Sequence, residues 1–236
     1  ERQAGDDEGN VQRAEFFMGK TLFNLKFYSA SLSYFTKIVD KGPAHRYYQK
    51  TLQWLASLSR FLPESAGVLE KIGKYNRQDL EQPALEPVRN ELYYLLGRYH
   101  YGLGDLGQAI ALLSQVPRES DYFIPAQYFL GVAETRSYHG PEAVEAFKSV
   151  LRKNITLQEA ANKNKKKLKK EAKKKKKADK KLAKSGKLTG GTTEELSFEE
   201  EMQRYQERAN LALGYIFYQV GKFETANKYF DKIPLE

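Results

Sequence analysis

The chain of 236 residues has no cysteine. A disulfide framework and thiolate metal sites are therefore excluded. The compartment stays open, because a Cys-free chain suits the periplasm and the cytosol alike. No run of eighteen apolar residues occurs, so no transmembrane helix is expected. Tryptophan occurs once, and histidine three times, as His45, His100 and His139. None of the three stands at metal-ligand spacing from a second His or from a carboxylate. His100 occupies a helix-face position suited to packing, and His45 and His139 sit near turns. There is no glycine-rich phosphate loop and no Gly-x-Ser-x-Gly nucleophile elbow. The sequence thus predicts no catalysis, no metal and no cofactor. It opens Glu1-Arg2-Gln3, without an initiator Met or an apolar signal core, and reads as a trimmed or mature chain.

Aromatics are plentiful, with 16 Tyr and 13 Phe, and apolar residues reach 41%, enough for a continuous core. The net charge of +9 is an uneven average. Between Lys163 and Lys187 stand 15 Lys and two acids, leaving 24 basic and 28 acidic residues elsewhere. One segment makes the protein basic, and the remaining body is mildly acidic.

Outside that segment the chain repeats itself. Leu96-Gly97, Ala109 and Leu113 correspond to Leu130-Gly131, Ala143 and Phe147, 34 residues on. Gly214 carries the same set, with Leu213, Ala226 and Phe230. Gly19 does too, with Met18, Ser31, Phe35 and a closing Pro43. A period near 34 marks stacked helix pairs, none of which covers its apolar side alone. Small residues at helix crossings permit close backbone approach, and an aromatic on the second helix fills the space between pairs.

The predicted units lie near 12–45, 46–75, 90–123 and 124–153, followed by a Lys-rich insertion over 154–196 and a last pair over 197–236. Helical periodicity begins near Val11, after a polar, frayed start. In the second unit, Tyr47 to Phe61 reads as a helix, Pro63 opens the next, and Ala56 stands in for the glycine. Asn76 to Pro87 reads as a two-Pro loop. Gly104-Asp105 and Gly140-Pro141 read as turns inside their pairs. Lys232-Ile233-Pro234-Leu235-Glu236 resembles Gln115-Val116-Pro117-Arg118-Glu119, which precedes a further unit. The array is therefore expected to continue past Glu236, and an uncapped end favours end-to-end pairing.

At these residues the sequence resembles the tetratricopeptide-repeat (TPR) family. The units at 90–123, 124–157 and 207–236 match its pattern well, 12–45 matches fairly, and 46–75 departs from it. The resemblance implies an all-α, right-handed superhelix of stacked antiparallel helix pairs, an α-solenoid, here with a Lys-rich insertion. It implies a non-catalytic protein–protein interaction scaffold that binds a partner peptide or helix in a concave groove. The family lines that groove with residues three before, one after and four after the small residue. Carried over by position, these are Phe16, Lys20 and Phe23, then Tyr94, Arg98 and Tyr101, then Tyr128, Val132 and Thr135, and last Leu211, Tyr215 and Tyr218. Arg136 and Arg208 flank the groove. Tyr and Arg dominate interface hot spots, and Arg grips carboxylates bidentately. The Lys and Asn clamp of chaperone-binding members is not reproduced; Asn24 alone stands near such a position. Units closing on a Pro and a short acidic stretch are similar to bacterial cell-envelope members, which favours the periplasm or the outer membrane over the cytoplasm.

The Lys segment offers a competing function. Lys165, Lys169, Lys173, Lys176 and Lys180 are candidates for an anionic surface, whether lipid head groups or an acidic polymer. Nucleic acid would be held through counterion release alone. The segment has no Arg and no aromatic for reading or stacking bases, so such binding would be non-specific. A solvated linker or protruding helix is the plain reading. Asn154-Ile155-Thr156 fits a glycosylation acceptor, a short and weak pattern.

Overall fold

Where a helix carries a residue without a side chain, a partner helix can close onto its backbone, and this chain repeats that device. The computed structural model describes residues 2–157, 163 and 193–234, and every regular element among them is helical. The chain forms two compact units, Glu1–Ser137 and Tyr138–Glu236. The first holds α1 (Arg2–Asn24), α2 (Tyr28–Lys41), α3 (Tyr48–Ser59), α4 (Val68–Ile72), α5 (Arg77–Leu80), α6 (Arg89–Leu103), α7 (Leu106–Leu113) and α8 (Phe123–Arg136). The second holds α9 (140–157), α10 (Thr193–Gln219) and α11 (Phe223–Phe230). α1 pairs with α2, α6 with α7, and α10 with α11.

The repeated glycines sit where these pairs cross. A Cβ on Gly19 would fall 2.8 Å from Phe35 Cε1, one on Gly97 2.7 Å from Leu113 Cγ, and one on Gly214 2.3 Å from Phe230 Cε1. Each struck residue lies sixteen positions on. Ser31, Ala109 and Ala226, twelve positions on, are buried. Ser31 Oγ donates to Gly19 O at 2.8 Å, which explains a hydroxyl where the pattern expects alanine. The second pair keeps the same register with other side chains: Ala56, Val68 and Ile72 are all buried.

Seven residues after the small residue the backbone turns back in the left-handed region. Gly104 has φ 78°, Gly221 73°, Lys26 64° and Tyr138 62°. The turn expected at Gly140-Pro141 therefore lies earlier, at Tyr138, and Gly140 already belongs to α9. In the second pair this position is Pro63, whose ring forbids positive φ. The left-handed residue moves to Gly67 (φ 76°), after the 3-10 turn Glu64–Ala66, and α4 is correspondingly short.

Three further expectations are corrected. α1 begins at Arg2, not near Val11, because a polar helical turn shows no apolar period to read. Its early turns are linked on the surface by Gln12 Nε2 donating to Glu8 Oε1. The expected loop at 76–87 contains α5 and a 3-10 turn, Pro83–Val88. There Asn76 and Asp79 cap each other's backbone N–H groups, Leu80 and Leu85 are buried, and Arg89 donates to the carbonyls of Leu80, Glu81 and Gln82. Asn154 lies inside α9 and is buried, with Nδ2 donating to Met202 O at 3.0 Å, so it is no glycosylation acceptor.

Two polar clusters fasten the first unit. The buried Glu91 on α6 receives Arg60 bidentately, Nε at 2.8 Å and Nη2 at 2.5 Å, and also accepts from the Tyr122 hydroxyl. One carboxylate thus joins the end of α3, α6 and the start of α8. Near the amino end, Lys41 Nζ donates to Glu15 Oε2 at 2.8 Å. The buried His45 accepts the Tyr47 N–H at Nδ1, so its proton is on Nε2. Nε2 lies 3.3 Å from Glu15 Oε2, near enough for attraction but off the line of a good hydrogen bond.

Candidate interaction surface

The first helices of unit one (α1, α3, α6 and α8), with the residues that cap them, carry aromatic side chains in a repeating register. Phe16, three before Gly19, stacks on Tyr47 with centroids 4.5 Å apart. Tyr94, three before Gly97, meets Tyr122 at 5.5 Å. Phe23, four after Gly19, meets Trp54 edge-on at 5.3 Å. Tyr101, four after Gly97, meets Phe129 edge-on at 5.7 Å. Trp54 and Phe129 are equivalent, each two residues before the small residue of its own helix. Tyr47 and Tyr122 are equivalent too, each nine before. The same ring contacts therefore recur at two junctions.

A cation completes each junction. The residue one after the glycine lays its charge over the ring arriving from the next first helix. Lys20 Nζ is 5.3 Å from the Trp54 ring, and the Arg98 guanidinium 5.0 Å from that of Phe129. Lys20 also covers Phe16 and Phe17, Arg98 covers Tyr94, and Arg136 covers Tyr101 at 5.1 Å. Around Tyr47 stand Arg46 and Lys50, and Arg13 stands over Phe17. Such pairing fixes a long cationic side chain while its charge still faces outward. Arg98 also pairs with Glu64. Lys20 and Arg136 make no ion pair with any described residue.

The expected groove residues fall into three groups. Phe16 and Tyr94 are buried. Phe23, Tyr101, Lys20 and Arg98 are half-buried, while Tyr128 is half-buried beside Phe129 and Arg136 is exposed. Arg208, Tyr215 and Tyr218 belong to unit two and are exposed there, Tyr218 against Phe223 and Tyr215 against Phe230. Lys165, Lys169, Lys173, Lys176 and Lys180 lie outside the described residues. Sequence reasoning missed Trp54, Phe129 and Tyr47; the recurrence of an aromatic two before and nine before the small residue could have found them. Among the described residues no cluster of three or more His, Asp or Glu could hold a metal ion, and no helix is long and apolar enough to cross a membrane.

No protein-family model matches the chain, and no curated protein matches it in sequence. Its fold does match solved structures. A crystal structure of MamA protein superposes with a TM-score of 0.52 at 15% identity, covering 95% of this chain and 90% of the other. A second MamA crystal structure gives 0.50 at 15% identity, covering 91% of each chain. A third, MamA AMB-1, gives 0.51 at 14% identity, covering 94% and 89%. The fold is that of the tetratricopeptide repeat. TPR folds are typically non-catalytic and work through protein partners.

Proposed function

We propose that this chain is an interaction scaffold that holds an acidic, extended segment of a partner protein on the first-helix face of unit one. The observation that carries the reading is the repeated cation on a ring: Lys20 on Trp54, Arg98 on Phe129, and Arg136 on Tyr101. The rings hold the charges in place before any ligand arrives, which lowers the ordering cost of binding. Phe16 and Tyr94 support the face from beneath, and Tyr128 extends it along α8. Arg208, Tyr215 and Tyr218 give unit two a patch of the same chemistry. A bound carboxylate would receive donors from Lys20 or Arg136, and a bound aromatic or aliphatic side chain would rest on Phe17 or Phe61, both exposed.

The test is fluorescence anisotropy with short labelled peptides rich in Asp and Glu, beside neutral and Lys-rich counterparts. The acidic peptides alone bind, and salt weakens them. Lys20→Glu and Arg136→Glu each weaken binding by roughly tenfold, the effect of reversing one charge at a partly buried contact. The competing anionic-surface reading is separated in the same assay with a chain lacking residues 163–187. Binding that vanishes on this deletion and survives both reversals overturns the groove assignment and points to the Lys segment.

A further inference from the structure

Four cations lie on or at the ends of the first helices of unit one, and their surroundings differ. Lys20 and Arg136 pair with no carboxylate among the described residues. Arg60 is held by two of its nitrogens on Glu91, a side chain only 2% exposed, and so belongs to the packing. Arg98 pairs with Glu64, and here the burial is reversed: the arginine side chain is 18% exposed and the carboxylate side chain 73%. The rings of Tyr94 and Phe129 hold the guanidinium in place, and its carboxylate is the loose partner.

Glu64 reaches Arg98 because the turn of the second pair is irregular. The residue eight after the small residue is Phe27, Asp105, His139 or Lys222 in the other pairs, and each directly precedes the second helix of its pair. Glu64 is the equivalent residue after Ala56. There Pro63 displaces the left-handed residue to Gly67, and the 3-10 turn Glu64–Ala66 stands before α4. Released from the start of a second helix, Glu64 extends to the next first helix, α6, and sets its carboxylate on the cation there.

We infer that Glu64 is an internal competitor, occupying Arg98 as a partner's carboxylate would, so that an acidic partner engages the whole face only by displacing it. The inference rests on the acidic-segment reading above. A site blocked for part of the time binds with an apparent affinity lowered by the fraction in which it is free. An exposed ion pair is weak, so Glu64 restrains the partner without barring it. The guanidinium keeps a carboxylate before and after the exchange, and no charge is left unpaired against the rings.

Anisotropy titrations of the full chain with the same Asp- and Glu-rich peptides test this. Glu64→Ala removes the competitor and tightens binding about two- to fivefold, the range that an exposed ion pair allows. Glu70, also exposed, carries the same charge on the same segment and pairs with no described cation. Glu70→Ala leaves the affinity near the wild-type value, which separates the contact from the net charge. In an Arg98→Gln background Glu64→Ala brings no gain, because the contact it relieves is already gone. Arg98→Met, which keeps the aliphatic stem, serves in that cycle if circular dichroism shows that Gln unsettles the helix. Equal or weaker binding by Glu64→Ala, an equal gain from Glu70→Ala, or a gain that persists without Arg98 overturns the inference. If Lys20→Glu and Arg136→Glu still weaken binding in that event, the scaffold reading stands alone; if no form binds the peptides, both fall.

Discussion

Lys26 and Tyr138 hold the left-handed turn position that Gly104 and Gly221 occupy elsewhere. A side chain there is strained by about 1 kcal/mol, partly offset by the lower chain entropy lost on folding. Lys26→Gly and Tyr138→Gly are each expected to raise stability by up to about 1 kcal/mol, measured by urea denaturation. The crossing glycines behave in the opposite way. Gly97→Ala places a methyl 2.7 Å from Leu113 Cγ, and the fully buried Leu113 cannot yield. The expected loss is about 1–3 kcal/mol, typical of overpacking a core; a melting temperature equal to wild type would show that the crossing can open. His45 adds a pH term. Burial disfavours its charged form and outweighs the attraction of Glu15, so its pKa is lowered in the fold. The unfolded imidazole takes up a proton below about 6.5, while the folded one resists. Stability is therefore full above that value and falls as the pH drops below it. Glu15 acts in the same direction at lower pH. Partial burial raises its pKa, but the Lys41 hydrogen bonds and the attraction of Lys41 and His45 win, and the net shift is downward. Its contribution is present above the ordinary Glu range and disappears as the pH falls through the folded value. His45→Gln should flatten the upper part of this profile in thermal melts taken between neutral and mildly acidic pH.

The helices show what a sequence can convey. The small residue and its partners twelve and sixteen positions on were readable because steric demands repeat wherever the same crossing repeats. Even Ala56, in the most degenerate pair, was found by its spacing. The groove register placed Lys20, Arg98 and Tyr101 on the first-helix face. It could not show that Phe16 and Tyr94 are covered, because coverage depends on what the next helix brings. α5 escaped notice because four residues carry no period; its existence rests on the Asn76 cap and on Arg89 donating back to three carbonyls. The Glu91 cluster was invisible for the same reason, since Arg60, Glu91 and Tyr122 come together only when three helices dock. Glu91→Ala removes the acceptor of the partly buried Tyr122 hydroxyl and of Arg60. The arginine side chain is half-exposed and regains water, so the expected cost is about 2 kcal/mol, below the full penalty for a broken buried pair. A double-mutant cycle with Tyr122→Phe measures the coupling, and additive losses would deny the cluster any cooperative role.

Charge at the scale of the molecule is carried by one stretch. Removal of residues 163–187 takes away 15 Lys and two acids and turns a net +9 into about −4. The shortened chain is expected to lose retention on heparin, and equal retention of both forms would place the responsible cations on the helical body. That body also contains its own light source. Trp54, the sole indole, lies between Phe23 and Phe35 with Lys20 above it, and its Nε1 has no hydrogen-bond partner among the described residues. An ammonium so near an indole tunes its emission, so any guest that draws Lys20 away changes the colour or yield of that glow. Occupancy of the α1–α3 seam can thus be followed in the unlabelled protein.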